Sequence, residues 1–314
     1  MNTLQTPLLV DLVDPVDQEH PAHEIRLISW NVQKGRHTEQ ACRWIAAQRP
    51  DIVAWQELQP GDLKKVQGLL RLHGYPAVKL HGSTNDNSIF VHDDGLFMVE
   101  EEYEHGWAPW HAPANIEVRL RGAGEDVSQR KLSVVSTHDC YWSSTVRLQE
   151  AEWATTLAKP GYLCIRTGDG NGFPTDAPDI DWSKVEDKAF MVNRTYLAED
   201  GTRRTDDRAD RILTAAGFID AARYVADKFG RREALRPTAG YGKDKAQQAG
   251  PQRIDRTIVS AELTPAIKDF IIGDPDPETD ALLQSWSDHL PQQLVLHGDV
   301  VDQIMQTSRL AAGL

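Results

Sequence analysis

The chain has 314 residues, of which 47 are acidic and 34 are basic, so its formal net charge at pH 7 is −13. Hydrophobic residues make up 40% of the chain, a share typical of globular proteins that excludes a disordered, coiled-coil or collagen-like chain. The negative charge disfavours a protein whose only role is to coat nucleic acid. It does not exclude an enzyme acting on phosphoesters, because bound divalent cations invert the local field.

The sequence shows no sign of a membrane or secretory segment. No apolar run approaches the ~20 residues that cross a bilayer, and residues 1–23 lack the basic and apolar regions of a signal peptide. The three cysteines, Cys42, Cys140 and Cys164, are widely spaced and form no Cys-x-x-Cys pair, as in proteins with reduced thiols. We therefore expect a cytoplasmic protein without a membrane span, and its oligomeric state stays open.

From Ile25 onward, short β-branched runs alternate with helical patterns. The predicted strands are 25–30, 52–55, 88–91, 96–99, 116–120, 131–137, 162–166, 253–260, 267–272 and 293–297, and the predicted helices are 41–48, 63–72, 146–157 and 208–216. Residues 168–205 and 236–252 are predicted loops. Because strands outnumber the helices between them, the pattern favours a mixed α+β sandwich over a doubly wound parallel sheet.

No Pro-, Gly- or Ser-rich linker separates two cores. We therefore predict one domain over residues 24–298, preceded by a flexible arm (1–23) and followed by a C-terminal tail (299–314). The spacing of Val300, Ile304 and Leu310 indicates a terminal helix that docks on its own domain.

Polar residues follow the apolar strands at several points, where a rigid strand end can direct a side chain into an exposed loop. Taken singly, each has a structural explanation as a turn or cap residue. Together they provide the carboxylates of Glu57, Asp169, Asp255 and Asp288, the carboxamides of Asn31 and Asn171, and the imidazoles of His138 and His289. Oxygen ligands suit Mg²⁺ or Mn²⁺ better than Zn²⁺, and two histidines can stabilise phosphate or transfer protons. This set is typical of metal-assisted phosphoester hydrolysis.

The same segments carry a family resemblance in their order along the chain. They are Leu27-Ile28-Ser29-Trp30-Asn31-Val32, Pro50-Asp51-Ile52-Val53-Ala54-Trp55-Gln56-Glu57, Ser136-Thr137-His138 with Arg147-Leu148-Gln149, Gly168-Asp169-Gly170-Asn171, Arg253-Ile254-Asp255, and Ser287-Asp288-His289-Leu290-Pro291. From about Ile25 to His297 the sequence resembles the endonuclease/exonuclease/phosphatase superfamily. That group includes deoxyribonucleases, abasic-site endonucleases, deadenylases, inositol-polyphosphate 5-phosphatases and neutral sphingomyelinases.

The resemblance implies a four-layer α/β/β/α sandwich, with the site at one rim of two packed mixed sheets. It implies that Glu57 is the principal metal carboxylate, with Asn31 and Asp288 beside it. In the same scheme Asp169 orients or deprotonates the attacking water, and Asn171 holds a non-bridging phosphate oxygen.

The two histidines also receive roles from the resemblance. His289, held by Asp255, donates to the phosphoryl group, and His138 contacts the phosphate or the leaving group. Two features depart from the family pattern. No partner carboxylate for His138 is evident between residues 80 and 104, and Gly170 stands where a bulky residue is common, which either loosens the loop or leaves room for a larger substrate.

We expect a phosphodiesterase that requires Mg²⁺ or Mn²⁺, and most specifically a nuclease acting on DNA or RNA. Lys34 and Arg36 could follow a phosphate backbone and Trp142 could stack on a base, or all three could be ordinary surface residues. Residues 105–111 form either a base-stacking platform or a loop with two packed tryptophans. The alternatives are a phosphatase or phospholipase-type hydrolase of a small phosphorylated molecule, which the acidic charge favours, and a catalytically inactive binding protein.

Overall fold

The structure, a computed structural model, describes residues 24–80, 85–122, 126–242 and 247–307. Its strands are β1 (Glu24–Asn31), β2 (Ile52–Leu58), β3 (His73–Pro76), β4 (Asp86–Val91), β5 (Phe97–Tyr103), β6 (Ala114–Leu120), β7 (Leu132–His138), β8 (Leu163–Asp169), β9 (Thr195–Leu197), β10 (Arg203–Thr205), β11 (Phe218–Asp220), β12 (Asp255–Ser260), β13 (Ile267–Ile272) and β14 (Gln292–His297). Its α-helices are α1 (Thr38–Ala47), α2 (Leu63–Leu70), α3 (Ser144–Ala154), α4 (Lys188–Asn193), α5 (Arg208–Ala215), α6 (Ala221–Phe229), α7 (Pro277–Trp286) and α8 (Gly298–Gln306). The predicted arm, residues 1–23, lies outside the described residues.

Twelve of the strands form two six-stranded mixed sheets, and β9 and β10 form a separate two-stranded ribbon. The strand order is β13-β14-β1-β2-β4-β3 in the first sheet and β11-β12-β8-β7-β6-β5 in the second. Each sheet has one parallel pair at its centre, β1 with β2 and β7 with β8. Parallel neighbours end at the same edge of a sheet, so each pair brings two strand ends together.

The strand register places the polar strand-end residues side by side. In the second sheet His138 is opposite Asp169, and Asp169 is opposite Asp255. In the first sheet Asn31 is opposite Gln56, which directly precedes Glu57. The side-chain amide of Asn31 donates to Asp169 across the two sheets at 3.1 Å, so both groups lie at one shared rim.

Helices cover the outer faces of both sheets. On the first sheet, the Trp44 ring of α1 meets the Trp30 ring of β1 edge-on, with 5.8 Å between centroids. On the second sheet, Val135 and Cys164 form a separate apolar cluster with helices α3 and α5. The apolar core between the sheets contains residues of both, and these layers confirm the predicted α+β sandwich of two packed mixed sheets.

Most predicted elements are present, with shifted ends. The strand predicted over 52–55 continues to Leu58. Within this extension Gln56 is buried, and its side-chain amide donates to Ser29 in the first sheet and to Ser136 in the second. The prediction missed seven elements: β3, β9, β10, β11, α4, α6 and α7. Three of them, α4, β9 and β10, lie in residues 168–205, which were wrongly predicted to be a loop, because elements of three to six residues are too short to show a period. Strand β3 contains Gly74 and Pro76, which weaken a strand pattern, and α7 buries only Asp280 and Leu283.

The last described helix, α8, packs against the domain. Val301 and Met305 are fully buried in the same core as the strands. The division of the chain into an arm, a domain and a tail stays a prediction, since residues 308–314 also lie outside the described part. Among the described residues, no helix has the length and apolar character that a membrane crossing requires.

Candidate active site

Polar residues from six segments converge at the rim where the parallel strands end. The structure brings together Asn31, Glu57, His138, Asp169, Asp255 and His289. All but Glu57 are buried. Burial of so many polar groups is tolerated only where they satisfy one another or a ligand, and the contacts below show how far they do so.

Asp169, at the end of β8, is the hub of the cluster. Its Oδ2 atom lies 3.1 Å from the Asn31 amide nitrogen, 3.4 Å from Nε2 of His138 and 3.7 Å from Nε2 of His289. Its Oδ1 atom accepts a hydrogen bond from the Asn171 backbone at 2.9 Å. Burial alone would raise the pKa of Asp169, but the charges of His289, His138 and Arg194 outweigh it and lower the pKa below its usual value, so the group is a carboxylate at neutral pH.

Glu57 lies at an irregular point of β2, where the pairing with β4 shifts register between Trp55 and Leu58. Its φ of +64° places the backbone in the left-handed region, which non-glycine residues seldom adopt and which often marks a functional position. One carboxylate oxygen, Oε1, accepts from the Asn31 amide at 3.2 Å. The other, Oε2, is buried and has no hydrogen-bond partner among the described residues.

His289 is held by Asp255, whose two carboxylate oxygens each lie 2.9 Å from Nδ1. Burial lowers the pKa of His289, but the charges of Asp255, Asp169 and Asp288 outweigh it and raise that pKa to about 10. The backbone is fixed as well, since the His289 carbonyl accepts from the Trp30 indole at 2.9 Å. The ring is therefore an oriented imidazolium whose Nε2 points toward Asp169.

His138 has an imidazole neighbour in place of the carboxylate sought between residues 80 and 104. Its ring stacks on the ring of His111, with 4.9 Å between centroids and 24° between planes. Burial lowers the pKa of His111 to about 3, with a smaller contribution from His138. His111 is therefore neutral at pH 7 and adds no positive charge beside His138, whose Nδ1 makes no hydrogen bond within the described residues.

Asn171 is fixed by two neighbours, Asp139 and Arg194. Its side-chain amide donates to the Asp139 carbonyl at 3.0 Å, and the buried guanidinium of Arg194, just past α4, donates to both of its oxygens. The space beside Gly170 is also occupied: a Cβ atom there would lie 3.1 Å from the Ile254 carbonyl oxygen. Gly170 therefore allows a close approach of two chain segments and leaves no room for a larger substrate.

The remaining predicted residues lie around this cluster. The Asp288 carboxylate is 4.0 Å from Nε2 of His289, close enough to belong to the same site. Lys34 and Arg36 are exposed and lie in the turn that follows Asn31. Trp142 is 44% exposed, and its ring meets the Trp110 ring at 6.0 Å. The structure records no contact of Lys34, Arg36 or Trp142 with the cluster.

Two arrangements in the described residues could hold a cation. Asp169, Asp255 and His289 each offer one ligand atom within 4.8 Å of the others. However, His289 and Asp255 already form a hydrogen-bonded pair, so a cation there would have to replace that bond. Glu57 Oε2 has no such partner and lies beside the oxygen-bearing side chain of Asn31, so its surroundings suit a hard cation better.

Sequence reasoning missed two residues of this site, His111 and Arg194. His111 lies in the loop between β5 and β6, and Arg194 follows a six-residue helix. Neither follows an apolar strand, which was the signal that identified the other residues. A histidine in a Trp-rich loop was the only indication for His111, and nothing local pointed to Arg194.

Fold and site together place the chain among α/β/β/α sandwiches with a carboxylate-, amide- and histidine-lined rim. No protein-family model and no curated protein matches the chain. Solved structures do match. An endonuclease/exonuclease/phosphatase from Bacteroides vulgatus matches with a TM-score of 0.59 and 16% identity, over 87% of this chain and 98% of that one. An AP endonuclease from Archaeoglobus fulgidus matches with a TM-score of 0.57 and 19% identity, over 87% of this chain and 99% of that one. TDP2 from D. rerio, complexed with a single-strand DNA product, also matches, with a TM-score of 0.57 and 16% identity over 87% of this chain and 98% of that one. The chain therefore has the fold of the endonuclease/exonuclease/phosphatase superfamily, as the sequence resemblance implies.

Proposed function

We propose that this protein is a phosphodiesterase that requires a divalent cation and hydrolyses nucleic acid. The observation that carries the proposal is the Asp169 carboxylate, surrounded at 3.1–3.7 Å by an amide and two imidazoles. Such a site combines a fixed anion with donors for a developing negative charge, which is the requirement of phosphoester hydrolysis.

Glu57, Asn31 and Asp288 would hold Mg²⁺ or Mn²⁺. The buried Oε2 atom of Glu57, without a hydrogen-bond partner among the described residues, supports this assignment. When bound, the cation neutralises charge on the phosphate and polarises it toward attack. It would also explain how an acidic chain of net charge −13 binds a phosphoester.

Asp169 would orient the attacking water and accept its proton. In the reaction the water oxygen would bond to phosphorus while the bond between phosphorus and the leaving ester oxygen breaks. The water proton would pass to Oδ2, and the leaving oxygen would take up a proton from solvent. The two amide donors on Asp169, from Asn31 and Asn171, hold the carboxylate in one orientation. A fixed geometry of this kind supplies much of the rate in displacement reactions.

The two histidines, His289 and His138, would act on the phosphoryl group. His289 is an imidazolium oriented by Asp255, so it would donate from Nε2 as charge builds on the phosphoryl oxygens. His138 would contact the phosphate or the leaving oxygen, and Asn171, held by Arg194, would bind a non-bridging oxygen. The stacked, neutral His111 keeps the His138 ring in place.

Nucleic acid is the proposed substrate for two reasons. D. rerio TDP2, which shares the fold, is described in complex with a single-strand DNA product. On this chain, exposed Lys34 and Arg36 follow Asn31 and could bind phosphates, and exposed Trp142 could stack on a base. A reduced cytoplasmic location is consistent with the three free cysteines and belongs to the same proposal.

The test is cleavage of supercoiled plasmid DNA and of a labelled RNA in Mg²⁺ or Mn²⁺. We expect nicking or strand cleavage that EDTA stops and that His289→Ala abolishes. His92→Ala, which removes an exposed histidine, is the matched control and keeps full activity. Cleavage that survives both EDTA and His289→Ala would show that the activity does not come from this site.

A second candidate substrate is a small phosphorylated molecule, and the net charge of −13 favours it because long polyanions are repelled. A phosphatase or phospholipase-type enzyme would hydrolyse phosphomonoesters or phospholipid head groups and leave the plasmid and the RNA intact. If neither substrate class is cleaved and neither Mg²⁺ nor Mn²⁺ shifts thermal unfolding, the chain is a binding protein on this scaffold.

A further inference from the structure

A pocket lies beside His111, whose ring stacks on His138 of the cluster. It has a volume of about 240 Å³ and lies between the β5–β6 loop, helix α3 and the outer face of β7 and β8. We call it the ring pocket; its lining residues include His105, Trp107, Asp139, Glu150, Trp153 and Arg166. His111 also lines it, so one side chain belongs to the pocket and contacts the catalytic cluster.

The floor of the ring pocket is polar, and most of its groups are satisfied. Both oxygens of Asp139 accept from the Arg166 guanidinium at 2.7 Å, and the Thr137 hydroxyl donates to the same carboxylate at 2.5 Å. The negative charge of Asp139 is therefore neutralised inside the protein. A ligand meets Arg166 and Asp139 as a paired dipole rather than as a free charge.

Glu150 is the exception on this floor. It is 8% exposed, and its Oε2 atom accepts from the Cys140 backbone at 2.8 Å. Its Oε1 atom is buried without a hydrogen-bond partner in the described part of the chain. A buried acceptor left unpaired costs free energy, so this oxygen is positioned for one donor supplied by a ligand.

The opposite wall is aromatic. The His105 ring meets the Trp153 ring at 4.7 Å and the Trp107 ring at 6.0 Å, and the two tryptophans are 5.1 Å apart, all nearly perpendicular to each other. Trp107 is 60% exposed, so it lies at the mouth. Rings of this kind favour a planar, apolar body against them.

We propose that the ring pocket binds a planar heteroaromatic ring with an exocyclic amino group, the amino group donating to Oε1 of Glu150. Adenine and cytosine have this chemistry. The pocket volume of about 240 Å³ accommodates one ring system.

The pocket is less suited to an organic cation such as choline, although two tryptophans and a carboxylate could attract one. The Arg166–Asp139 pair on the floor has no net charge, so it does not attract a cation. A quaternary ammonium also carries no N–H group, so it would leave Oε1 of Glu150 without a donor. Burial raises the pKa of Glu150 to about 8, and Oε1 is the required acceptor in the ionised form, above this pH.

The statement that this ring is a base of the substrate strand rests on the proposed function, because it needs a nucleic acid at the neighbouring cluster. The binding of the ring does not. The experiment therefore measures binding in the presence of EDTA, where no hydrolysis is expected, so that failure of the pocket and failure of the enzyme activity give different results.

The probes are adenosine and purine riboside, which differ only in the exocyclic amino group. Calorimetry measures their binding to the full chain at pH 9, above the pKa of Glu150, where Oε1 is an unprotonated acceptor. We expect adenosine to bind about tenfold to a hundredfold tighter, the range for a buried hydrogen-bonding group with or without its partner. Equal affinities, or tighter binding of choline than of adenosine, would overturn the proposal.

Two variants locate the binding. In Glu150→Gln the amide oxygen takes over the bond with Cys140 and the NH₂ group faces the pocket, so the preference for adenosine disappears. Glu152→Gln makes the same charge change at an exposed position of α3 and keeps it. Thermal unfolding of both variants checks their folding, and Trp153→Leu, which removes an aromatic wall, weakens both nucleosides together.

A third experiment tests whether the bound ring is a base of a nucleic-acid strand or belongs to a free nucleotide. A short adenine-containing oligonucleotide and adenosine monophosphate are compared in their sensitivity to Glu150→Gln. If the base enters from a strand, both lose affinity by a similar factor. If the pocket takes only free nucleotides, the monophosphate loses affinity and the oligonucleotide does not, which retains the pocket and overturns its link to the substrate.

Discussion

The cluster around Asp169 and the ring pocket are connected by one stacked pair, His138 and His111, and differ in how they are built. In the cluster, groups from the ends of strands in both sheets bind one another, with Asp169 at the centre. In the ring pocket, a loop and a helix supply aromatic walls above a floor made by β7, β8 and α3. The cluster is fixed by the sheets themselves, whereas the pocket depends on the β5–β6 loop.

Each region leaves one buried carboxylate oxygen without a hydrogen-bond partner among the described residues, Oε2 of Glu57 and Oε1 of Glu150. The surroundings give the two atoms different uses. Glu57 lies beside the amide of Asn31 and close to a set of acidic groups, which suits a cation. Glu150 lies among aromatic rings and a neutralised Asp139, which suits a neutral hydrogen-bond donor. The same chemical feature therefore predicts two different ligands, and the following variants test that difference.

The largest effect is expected from Asp169→Asn in the cluster. The variant keeps the shape of the side chain but removes the anion that orients water, so phosphodiester cleavage should fall by about 10³-fold. Single-turnover cleavage of a labelled oligonucleotide measures it. Asp302→Asn, at an exposed position of α8, is the control, and an Asp169→Asn enzyme within threefold of the parent would remove Asp169 from the mechanism.

Metal binding should separate the two unpartnered oxygens. With Mg²⁺ at about a hundred times its dissociation constant, the free energy of unfolding should rise by about 2.7 kcal/mol. Glu57→Gln should abolish this rise, and Glu150→Gln should keep it. Denaturant unfolding with MgCl₂, against NaCl of equal ionic strength, gives the comparison. If the two variants lose the rise equally, the cation is not held by Glu57 in particular.

The cluster was largely predictable from sequence because its residues end apolar strands. Asn31, Glu57, Asp169 and Asp255 each lie at the end of a buried strand or at the start of one, and the order of segments indicated the fold. Periodicity identifies such strands, and a parallel pair places their ends together. Periodicity could not predict the partner of His138, because its stacking on His111 depends on the conformation of the β5–β6 loop.

The ring pocket was not predictable for the same physical reason. Residues 105–111 suggested either a stacking platform or two packed tryptophans. In the structure the two tryptophans of this loop pack against different neighbours. Trp107 packs on Trp153 at the pocket mouth, while Trp110 packs against His111 and Tyr141. The buried polar floor needs Arg166 and Glu150, which lie on a strand and a helix whose relative placement is a property of the whole domain.

The pH dependence of stability should distinguish the pocket carboxyl from an ordinary surface glutamate. Burial raises the pKa of Glu150 from 4.5 to about 8, so its stabilising contribution is complete below pH 4.5 and is lost as the pH rises toward 8. Glu150→Gln does not titrate and should become more stable than the parent by up to about 1.4 kcal/mol for each pH unit across that range. Denaturant unfolding in EDTA from pH 4 to pH 9 measures the difference. A difference that stays constant over this range would mean that Glu150 titrates normally.

The smallest effects are expected from two exposed residues, Lys34 and Trp142. The salt dependence of oligonucleotide affinity should distinguish their contributions. Lys34 lies in the turn after Asn31, and Trp142 lies next to Trp110. If Lys34 binds a phosphate, Lys34→Ala should reduce the slope of log affinity against log salt by about 0.7 for a single strand. Trp142→Ala should instead weaken binding by about the same factor at every salt concentration, because stacking releases no counterions. Fluorescence anisotropy with a labelled oligonucleotide in EDTA measures both, and Arg121→Ala, an exposed residue far along the chain, should change neither. An unchanged slope in Lys34→Ala would mean that phosphate binding on the cluster side does not involve this turn.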